Sequence, residues 1–153
     1  MTTVYLAGPD VFAKDAVGIL KEKSRVLKRA GFKVITPLDN ECADATEIMN
    51  FNMRAIRQSD LILANLSPFR GTEPDSGTVF EVGVAVALNK LVHVYGVLDE
   101  TYREQVNRFY KSDQNAQYCP RGLLIEDFGL PLNLMIATNV KFSRPNECFT
   151  SIV

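Results

Sequence analysis

The fold is decided by "LILANL", residues 61 to 66, a segment that is apolar at every position except Asn65. A strand that is apolar on both faces is typical of a parallel sheet covered by helices on its two sides. A helical pattern precedes this segment, and another follows it after the loop "SPFRGTEPDSG". The segment therefore predicts a central strand of an α/β fold.

The same alternation continues in both directions along the chain. The patterns predict strands at 3–8, 33–38, 61–66 and 91–98, and helices at 14–30, 44–58, after Gly77 and at 100–110. Such alternation produces parallel strands joined by right-handed crossovers. We therefore predict one doubly wound, flavodoxin-like α/β domain over residues 1–153, with about five parallel strands and helices on both faces. The fifth strand is expected at "KFS" near residue 141, and residues 111–130 are expected to be irregular and to form a mobile flap.

The composition argues against nucleic acid and membranes as partners. The 153 residues are 46% hydrophobic and 23% charged, and the formal net charge is -1. We find no basic stripe or Lys/Arg block, no signal-peptide pattern at the N-terminus and no apolar run of about 18 residues. We therefore expect a cytoplasmic protein.

Metal and redox chemistry find no support in the sequence. Cys42, Cys119 and Cys148 are odd in number and far apart, which argues against a disulfide framework and gives no metal-binding spacing. The single histidine, His93, lies in the buried-strand pattern "LVHVYGVL" and is interpreted as a packed core residue. Neither a Walker A motif nor a GxGxxG motif is present. We expect no metal and no cofactor.

Glu81 is the most informative polar residue, because it interrupts an apolar helix at the predicted ligand-binding edge of the sheet. Ligands of open α/β sheets bind beyond the carboxyl ends of the strands. One interpretation is a capping box formed by Thr78 and Glu81. If Asp75 or Ser76 is the N-cap instead, Glu81 lies one turn inside the helix, on its apolar face.

The alternative interpretation of Glu81 is catalytic. A partly buried carboxylate that is kept ionised by a helix N-terminus can attack an anomeric carbon and form a covalent glycosyl-enzyme. The pattern alone leaves both interpretations of this residue open.

Four segments together resemble the nucleoside 2-deoxyribosyltransferase family: "VYLAGPDVF" (4–12), "PLDNE" (37–41), "SPFRGTEPDSGTVFEVGVAVALNK" (67–90) and "FGLPLNLM" (128–135). The similarity runs from residue 3 to about residue 142, in the order and spacing of the family. The resemblance implies transfer of a 2-deoxyribosyl group between nucleobases, through a covalent intermediate on Glu81. It also implies 2'-deoxynucleosides and free nucleobases as small-molecule partners, and no cofactor.

The resemblance assigns further residues one by one. Tyr5 is similar to the tyrosine that orients the nucleophile, Gly8 allows close approach of the ligand, and Phe12 is similar to the aromatic residue that packs on the base. Asp75 matches the aspartate that binds the 5'-hydroxyl group of the sugar. In a homo-oligomer, Asn133 is expected to reach the same hydroxyl from the neighbouring subunit, with Met135 beside it in the substrate site. The small residues Gly83, Ala85 and Ala87 would allow the close packing of helices.

The sequence departs from the family pattern at two positions. Asn52 stands where some members carry an aspartate, and an asparagine can hydrogen-bond the sugar or Glu81 but cannot protonate the departing base. Glu41 stands where one branch has the glutamine that reads the base. Asp39 and Glu41 are therefore candidates for base recognition and protonation, with water as the alternative.

Two other functions compete with this interpretation. A hydrolase of deoxynucleoside 5'-monophosphates shares the fold, but Asp10 and Asp75 would repel the phosphate, although Arg70 offers positive charge. A nucleotide-binding module without catalytic activity is the second competitor.

Overall fold

The computed structural model describes residues 1–41 and 43–143. Cys42 and Cys148 lie outside the described residues, and Cys119 is a free thiol. All strand pairs are parallel, and the order in the sheet is β2-β1-β3-β4-β5. The strands are β1 (Thr3–Ala7), β2 (Lys33–Ile35), β3 (Leu61–Asn65), β4 (Leu91–Tyr95) and β5 (Lys141–Phe142). The predicted doubly wound sheet is confirmed, including the edge strand near residue 141.

Helices connect the strands as the periodic patterns predict. They are α1 (Ala16–Arg29), α2 (Ala45–Gln58), α3 (Ser76–Ala87), α4 (Tyr102–Tyr110) and α5 (Leu134–Ala137), and a 3₁₀ turn covers Pro9–Phe12. The 3₁₀ turn and α5 were not predicted, because four residues are too few to show a helical period. None of the helices in the described part of the chain combines the length and the apolar character needed to span a bilayer.

Two of the strands, β2 and β4, end three residues earlier than predicted, and local chemistry explains both ends. The strand β2 stops at Ile35 because the Asp39 carboxylate accepts hydrogen bonds from the backbone N–H and the hydroxyl of Thr36, which turns the chain. The strand β4 stops before Gly96, whose φ of 75° is left-handed.

The strand β1 divides the core between the two faces of the sheet. Val4 and Leu6 pack with Leu20 and Leu27 of α1, whereas Tyr5 and Ala7 face the opposite core, which includes residues of α2 and α3. The chain moves outward from β1 to β2 and then returns past β1 to β3. The winding direction therefore reverses at β1 and β3, where α/β sheets place their ligands.

Residues 111–130 contain no regular helix or strand, as predicted. Side chains of α4 form hydrogen bonds with the first part of this segment. The side chain of Asn107 donates to the carbonyl groups of Gln114 and Ala116, and the side chain of Arg103 donates to those of Asn115 and Ala116. The mobility of the segment stays a prediction.

The expectation that the chain carries no basic stripe is wrong. Lys21, Arg25, Lys28 and Arg29 lie along one side of α1 and border a common groove. Their spacing of four, three and one residues places them on one helical face, which a search for consecutive basic residues does not detect.

Candidate active site

A cavity of about 510 Å³ opens beyond the carboxyl ends of the strands, at the point where the winding direction reverses. This volume suits a ligand of the size of a nucleoside. Most of the lining side chains are apolar, and the polar side chains concentrate on α3 and at one position of α2. The apolar walls come chiefly from Val11, Phe12, Leu38, Ile48, Met49, Met53 and Phe80.

Asp75 sets the start of α3 and thereby the position of Glu81. Its Oδ2 accepts hydrogen bonds of 2.8 Å from both the backbone N–H and the hydroxyl of Thr78. Asp75 is therefore the N-cap, and the capping box between Thr78 and Glu81 is not formed. Glu81 lies one turn inside the helix, with Asp75 and Glu81 both lining the cavity.

Tyr5, on the central strand β1, binds Glu81 through its hydroxyl group. The Tyr5 hydroxyl donates a hydrogen bond of 2.7 Å to Glu81 Oε1, and the Tyr5 side chain is completely buried. Burial, reinforced by the neighbouring Glu81 carboxylate, raises the pKa of Tyr5. The tyrosine therefore stays protonated and acts as a fixed donor to the carboxylate.

The environment of Glu81 raises its pKa to about 7. Burial is the largest cause and the charge of Asp75 adds to it, while hydrogen bonds from Tyr5 and Asn52 act in the opposite direction. The expectation that the helix N-terminus would keep Glu81 fully ionised is wrong. The N–H of Thr78 binds the carboxylate of Asp75, and the hydrogen bonds that Glu81 receives come from Tyr5 and Asn52. Near neutral pH, Glu81 can therefore hold or release a proton.

Asn52 completes the polar part of the cavity from α2. It lines the cavity and forms a hydrogen bond with Glu81 that lowers the pKa of the carboxyl group. Its Oδ1 is shielded from solvent and has no hydrogen-bond partner among residues 1–41 and 43–143. A buried acceptor of this kind is normally satisfied, so a bound ligand could supply the missing donor.

Gly8 lines the cavity at a point where no side chain fits. A Cβ atom at this position would lie 2.8 Å from Cβ of Asn65 and 3.0 Å from Oδ2 of Asp10. The requirement is for space, since the φ of 160° is an extended conformation. The absence of a side chain brings the backbone after β1 to the cavity surface.

Phe12 forms the rim of the cavity and is part of an aromatic stack. Its ring is 57% exposed and stacks on Phe69 with 5.3 Å between the ring centroids. The Arg70 guanidinium carbon lies 4.6 Å from the centroid of Phe69 and 5.5 Å from that of Phe12. Sequence reasoning missed Phe69, and it considered Arg70 only as a possible phosphate ligand.

Asp39 and Glu41 do not reach this cavity. Both carboxylate oxygens of Asp39 are bonded to Thr36, at 2.8 and 2.9 Å, and the residue borders the groove beside α1 instead. Glu41 is exposed to solvent and is not among the residues that line the cavity. The hydrogen bonds to Thr36 hold Asp39 in the turn after β2, while Pro37 and Leu38 of the same turn line the cavity.

Asn133 and Met135 lie on α5, outside the cavity of their own chain. Asn133 is the N-cap of α5, with its Oδ1 accepting from the Met135 N–H at 2.9 Å. Its Nδ2 donates to Glu126 Oε1 at 2.6 Å, while Glu126 Oε2 accepts from the Leu134 N–H at 2.9 Å. Glu126 therefore fixes the orientation of Asn133, which is a role that no sequence pattern indicated.

Comparisons with known protein families and with solved structures both relate this chain to 2-deoxyribosyltransferases. A family model described as nucleoside 2-deoxyribosyltransferase matches residues 4–135. A solved structure of a 2-deoxyribosyltransferase from Leishmania mexicana is 37% identical, with a TM-score of 0.76, and the match covers 94% of this chain and 92% of the other. The two proteins are therefore similar in sequence as well as in fold.

Two further matches are more distant. The 2-deoxyribosyltransferase of the bacterium Bacillus psychrosaccharolyticus shares the fold at a TM-score of 0.60 and 18% identity, over 99% of this chain and 90% of the other. An uncharacterized protein of the fission yeast Schizosaccharomyces pombe is 26% identical over 163 aligned positions, which cover 92% of this chain and 77% of the yeast protein.

Proposed function

The chain belongs to the nucleoside 2-deoxyribosyltransferase family, and we propose on this premise that it exchanges the base of a 2'-deoxynucleoside through an ester between Glu81 and the sugar. The observation that carries the proposal is the Glu81 carboxylate held at 2.7 Å by the Tyr5 hydroxyl in a cavity of nucleoside size. Membership of an enzyme family favours turnover over a binding module without catalytic activity.

In the first displacement, an ionised oxygen of Glu81 attacks C1' of the sugar. The bond between C1' and the base nitrogen breaks, and its electron pair leaves with the base. Because the sugar lacks an electron-withdrawing 2'-hydroxyl group, positive charge develops readily at C1', and the carboxylate stabilises that charge. The hydrogen bond from Tyr5 limits the rotation of the carboxylate and so directs the attack.

The departing base requires a proton. Apart from Glu81 and Asp75, no carboxylic acid of the described residues lines the cavity, since Asn52 occupies the corresponding position on α2. We therefore assign protonation of the base to water that enters from the open side of the cavity. A base that is itself a good leaving group would depend least on this step.

In the second displacement, a nitrogen of the incoming base attacks C1' and releases the Glu81 carboxylate. Two inversions at C1' produce net retention of configuration. Both bases use the same apolar walls, which explains why one cavity is sufficient for the exchange. Phe12, which is 57% exposed at the rim, is available to stack on the bound base.

Recognition of the sugar is proposed to involve two chains. The Asp75 carboxylate lines the cavity and binds Thr78 through Oδ2 alone, so its other oxygen can accept a hydrogen bond from the 5'-hydroxyl group. Asn133 is presented by Glu126 on the surface of the chain, where a neighbouring subunit of a homo-oligomer could receive it. The oligomer and the cytoplasmic location stay predictions.

The decisive experiment incubates the protein with 2'-deoxyinosine and free adenine. Formation of 2'-deoxyadenosine, detected by chromatography, supports the transfer. Release of hypoxanthine together with free 2-deoxyribose, without 2'-deoxyadenosine, would replace transfer by hydrolysis. Quenching the reaction with a slow 2'-fluoro substrate, followed by peptide mass spectrometry, should locate the sugar on the peptide that contains Glu81.

A further inference from the structure

A second concave site lies beside α1, away from Glu81. The groove has a volume of about 570 Å³ and runs between α1 and residues 36–39, which follow β2. Its polar wall contains the four basic side chains of the α1 stripe, which are Lys21, Arg25, Lys28 and Arg29, together with the hydroxyl groups of Ser24 and Thr36. This volume lies within the range of sites for small molecules.

The charge of the groove is strongly positive in a chain whose formal net charge is -1. Asp39 is the only acidic residue among those that line it, and both of its carboxylate oxygens already accept hydrogen bonds from Thr36. Arg25 forms an ion pair with Glu22 at the rim. The side chains of Lys21, Lys28 and Arg29 form no salt bridge within the described part of the chain. Arg29 also acts on Glu22, since its charge contributes to the lowered pKa of that carboxyl group. Lys21 and Lys28 are therefore the cations available to an anion.

The groove also has exposed apolar side chains in its lining. Val17 lies one helical turn before Lys21 and is 53% exposed, and Leu38 is 42% exposed on the facing segment. The basic stripe itself extends over about 12 Å, since eight helical residues rise by about 1.5 Å each. A single phosphate ion is much shorter than this stripe, whereas a chain of phosphates joined to a flat apolar group would contact both the basic and the apolar side chains.

We propose that the α1 groove binds a nucleoside triphosphate, with the phosphates along the basic stripe and the base against Val17 and Leu38. Planar guanidinium groups and compact ammonium groups are the side chains that bind phosphates best. The two exposed apolar side chains explain why a nucleotide would be preferred to an inorganic polyphosphate.

Leu38 connects this groove to the catalytic cavity, because its side chain lines both. The segment that carries Leu38 is a turn fixed by the bonds between Thr36 and Asp39. A ligand that moves this turn changes the apolar wall that meets the substrate base. If the proposed transfer is correct, we expect the triphosphate to alter the apparent KM for the accepting base without competing with the 2'-deoxynucleoside.

The test is isothermal titration calorimetry of dATP and of inorganic tripolyphosphate into the full-length protein, without divalent cations. We expect dATP to bind at least fivefold more tightly than tripolyphosphate, and both affinities to fall as salt is added. In the double variant Lys21→Ala/Lys28→Ala, we expect the affinity for dATP to fall at least tenfold. The control is Lys33→Ala/Lys141→Ala, which removes two exposed cations elsewhere and should bind dATP like the wild type.

The possible results separate this proposal from the proposed function, since the titration does not depend on turnover. Absence of dATP binding, or equal binding to the wild type and the Lys21→Ala/Lys28→Ala variant, would overturn the site. Equal affinities for dATP and tripolyphosphate would overturn the nucleotide as its ligand. Purely competitive inhibition by dATP against the 2'-deoxynucleoside, unchanged in the double variant, would place the triphosphate in the catalytic cavity instead. Circular dichroism of both double variants checks that they are folded.

Discussion

The Tyr5 hydroxyl lies 2.7 Å from Glu81 Oε1, although 76 positions separate the two residues in the sequence. The central strand β1 supplies the donor and α3 supplies the carboxylate, so the pair forms only when the sheet and the helix are correctly packed. The position of the Glu81 carboxylate therefore depends on the packing of the core.

Replacement of Glu81 by glutamine should abolish base exchange while the fold is retained. The amide keeps an acceptor for Tyr5 but cannot form the ester with C1', so we expect the rate of transfer to fall at least about 10³-fold. Chromatographic assay of 2'-deoxyadenosine formation measures this loss, and circular dichroism checks the fold. The matched control is Glu47→Gln, the same change at an exposed helical glutamate, which should retain activity. Substantial transfer by Glu81→Gln would remove Glu81 as the nucleophile.

Glu81 should also make the folded protein less stable at neutral pH than at acidic pH. Its pKa rises from 4.5 to about 7 on folding, so between these values the folded state binds more protons than the unfolded state. The contribution of Glu81 to stability therefore falls as the pH rises from about 4.5 to about 7, by on the order of 2 to 3 kcal/mol. Urea unfolding at pH 5 and pH 8 should show this loss in the wild type and its absence in Glu81→Gln. Equal pH dependence in the two proteins would contradict the raised pKa.

Removal of the Tyr5 hydroxyl should move the pH profile of activity. The value of kcat/KM should rise with pH to a plateau above about 7, as Glu81 ionises. Because the hydrogen bond from Tyr5 lowers the pKa of Glu81, Tyr5→Phe should shift this rise to higher pH and reduce the rate at pH 7 by about 10- to 100-fold. Tyr110→Phe, at a partly exposed tyrosine, is the control and should leave the profile in place. A lower rate without any shift would mean that Tyr5 positions Glu81 without affecting its ionisation.

Asp75→Asn should separate the charge of Asp75 from its role as a helix cap. Asparagine is an equally good N-cap, so we expect the stability of α3 to be retained. Loss of the negative charge lowers the pKa of Glu81, and the activity rise should therefore move to lower pH. The variant should also discriminate less between 2'-deoxynucleosides and their 5'-monophosphates, as competing-substrate assays would show. If the wild type already prefers the monophosphate, the hydrolase interpretation is favoured instead.

Complementation tests whether Asn133 acts in a neighbouring subunit. Glu81→Ala and Asn133→Ala should each be strongly impaired when assayed alone. After dissociation and reassembly together, mixed oligomers should regain part of the wild-type activity, since one subunit supplies Glu81 and its neighbour supplies Asn133. A failure to regain activity in mixed oligomers, or a fully active monomer in light scattering, would argue against shared sites.

Gly8→Ala should impair both stability and substrate binding. The new methyl group would lie 2.8 Å from Cβ of Asn65, so the loop after β1 must shift, at a cost of about 1 to 3 kcal/mol. The control is Gly83→Ala on α3, where a Cβ atom meets nothing within 4 Å and should stabilise the helix. Thermal unfolding and the KM for the nucleoside check both variants. A Gly8→Ala protein with wild-type stability would show that the loop has room to move.

The strands and long helices were predictable because each combines a clear hydrophobic period with local stop signals. The placement of Gly8, Phe12, Asn52, Asp75 and Glu81 around one cavity could be expected from the resemblance and from the carboxyl ends of β1 and β3. The direction in which a turn points its side chains was not predictable, and neither Asp39 nor Glu41 lines the catalytic cavity of this structure. The pKa of Glu81 could not be predicted either, since it depends on burial and on the positions of Tyr5, Asp75 and Asn52 around the carboxyl group.

The contact between Gly8 and Asn65 has a consequence for how this protein can diversify. Asn65 also blocks a side chain at Gly96, where a Cβ atom would lie 2.5 Å from its Oδ1, so the loops after β1, β3 and β4 are interlocked and tolerate little variation. The facing wall on α2 includes Ile48, Met49 and Met53, which are apolar side chains without this constraint, and methionine adapts readily to irregular shapes. New base preferences should therefore arise by mutation of α2, and a combinatorial library restricted to these three positions should yield altered substrate ranges more often than one directed at the interlocked loops.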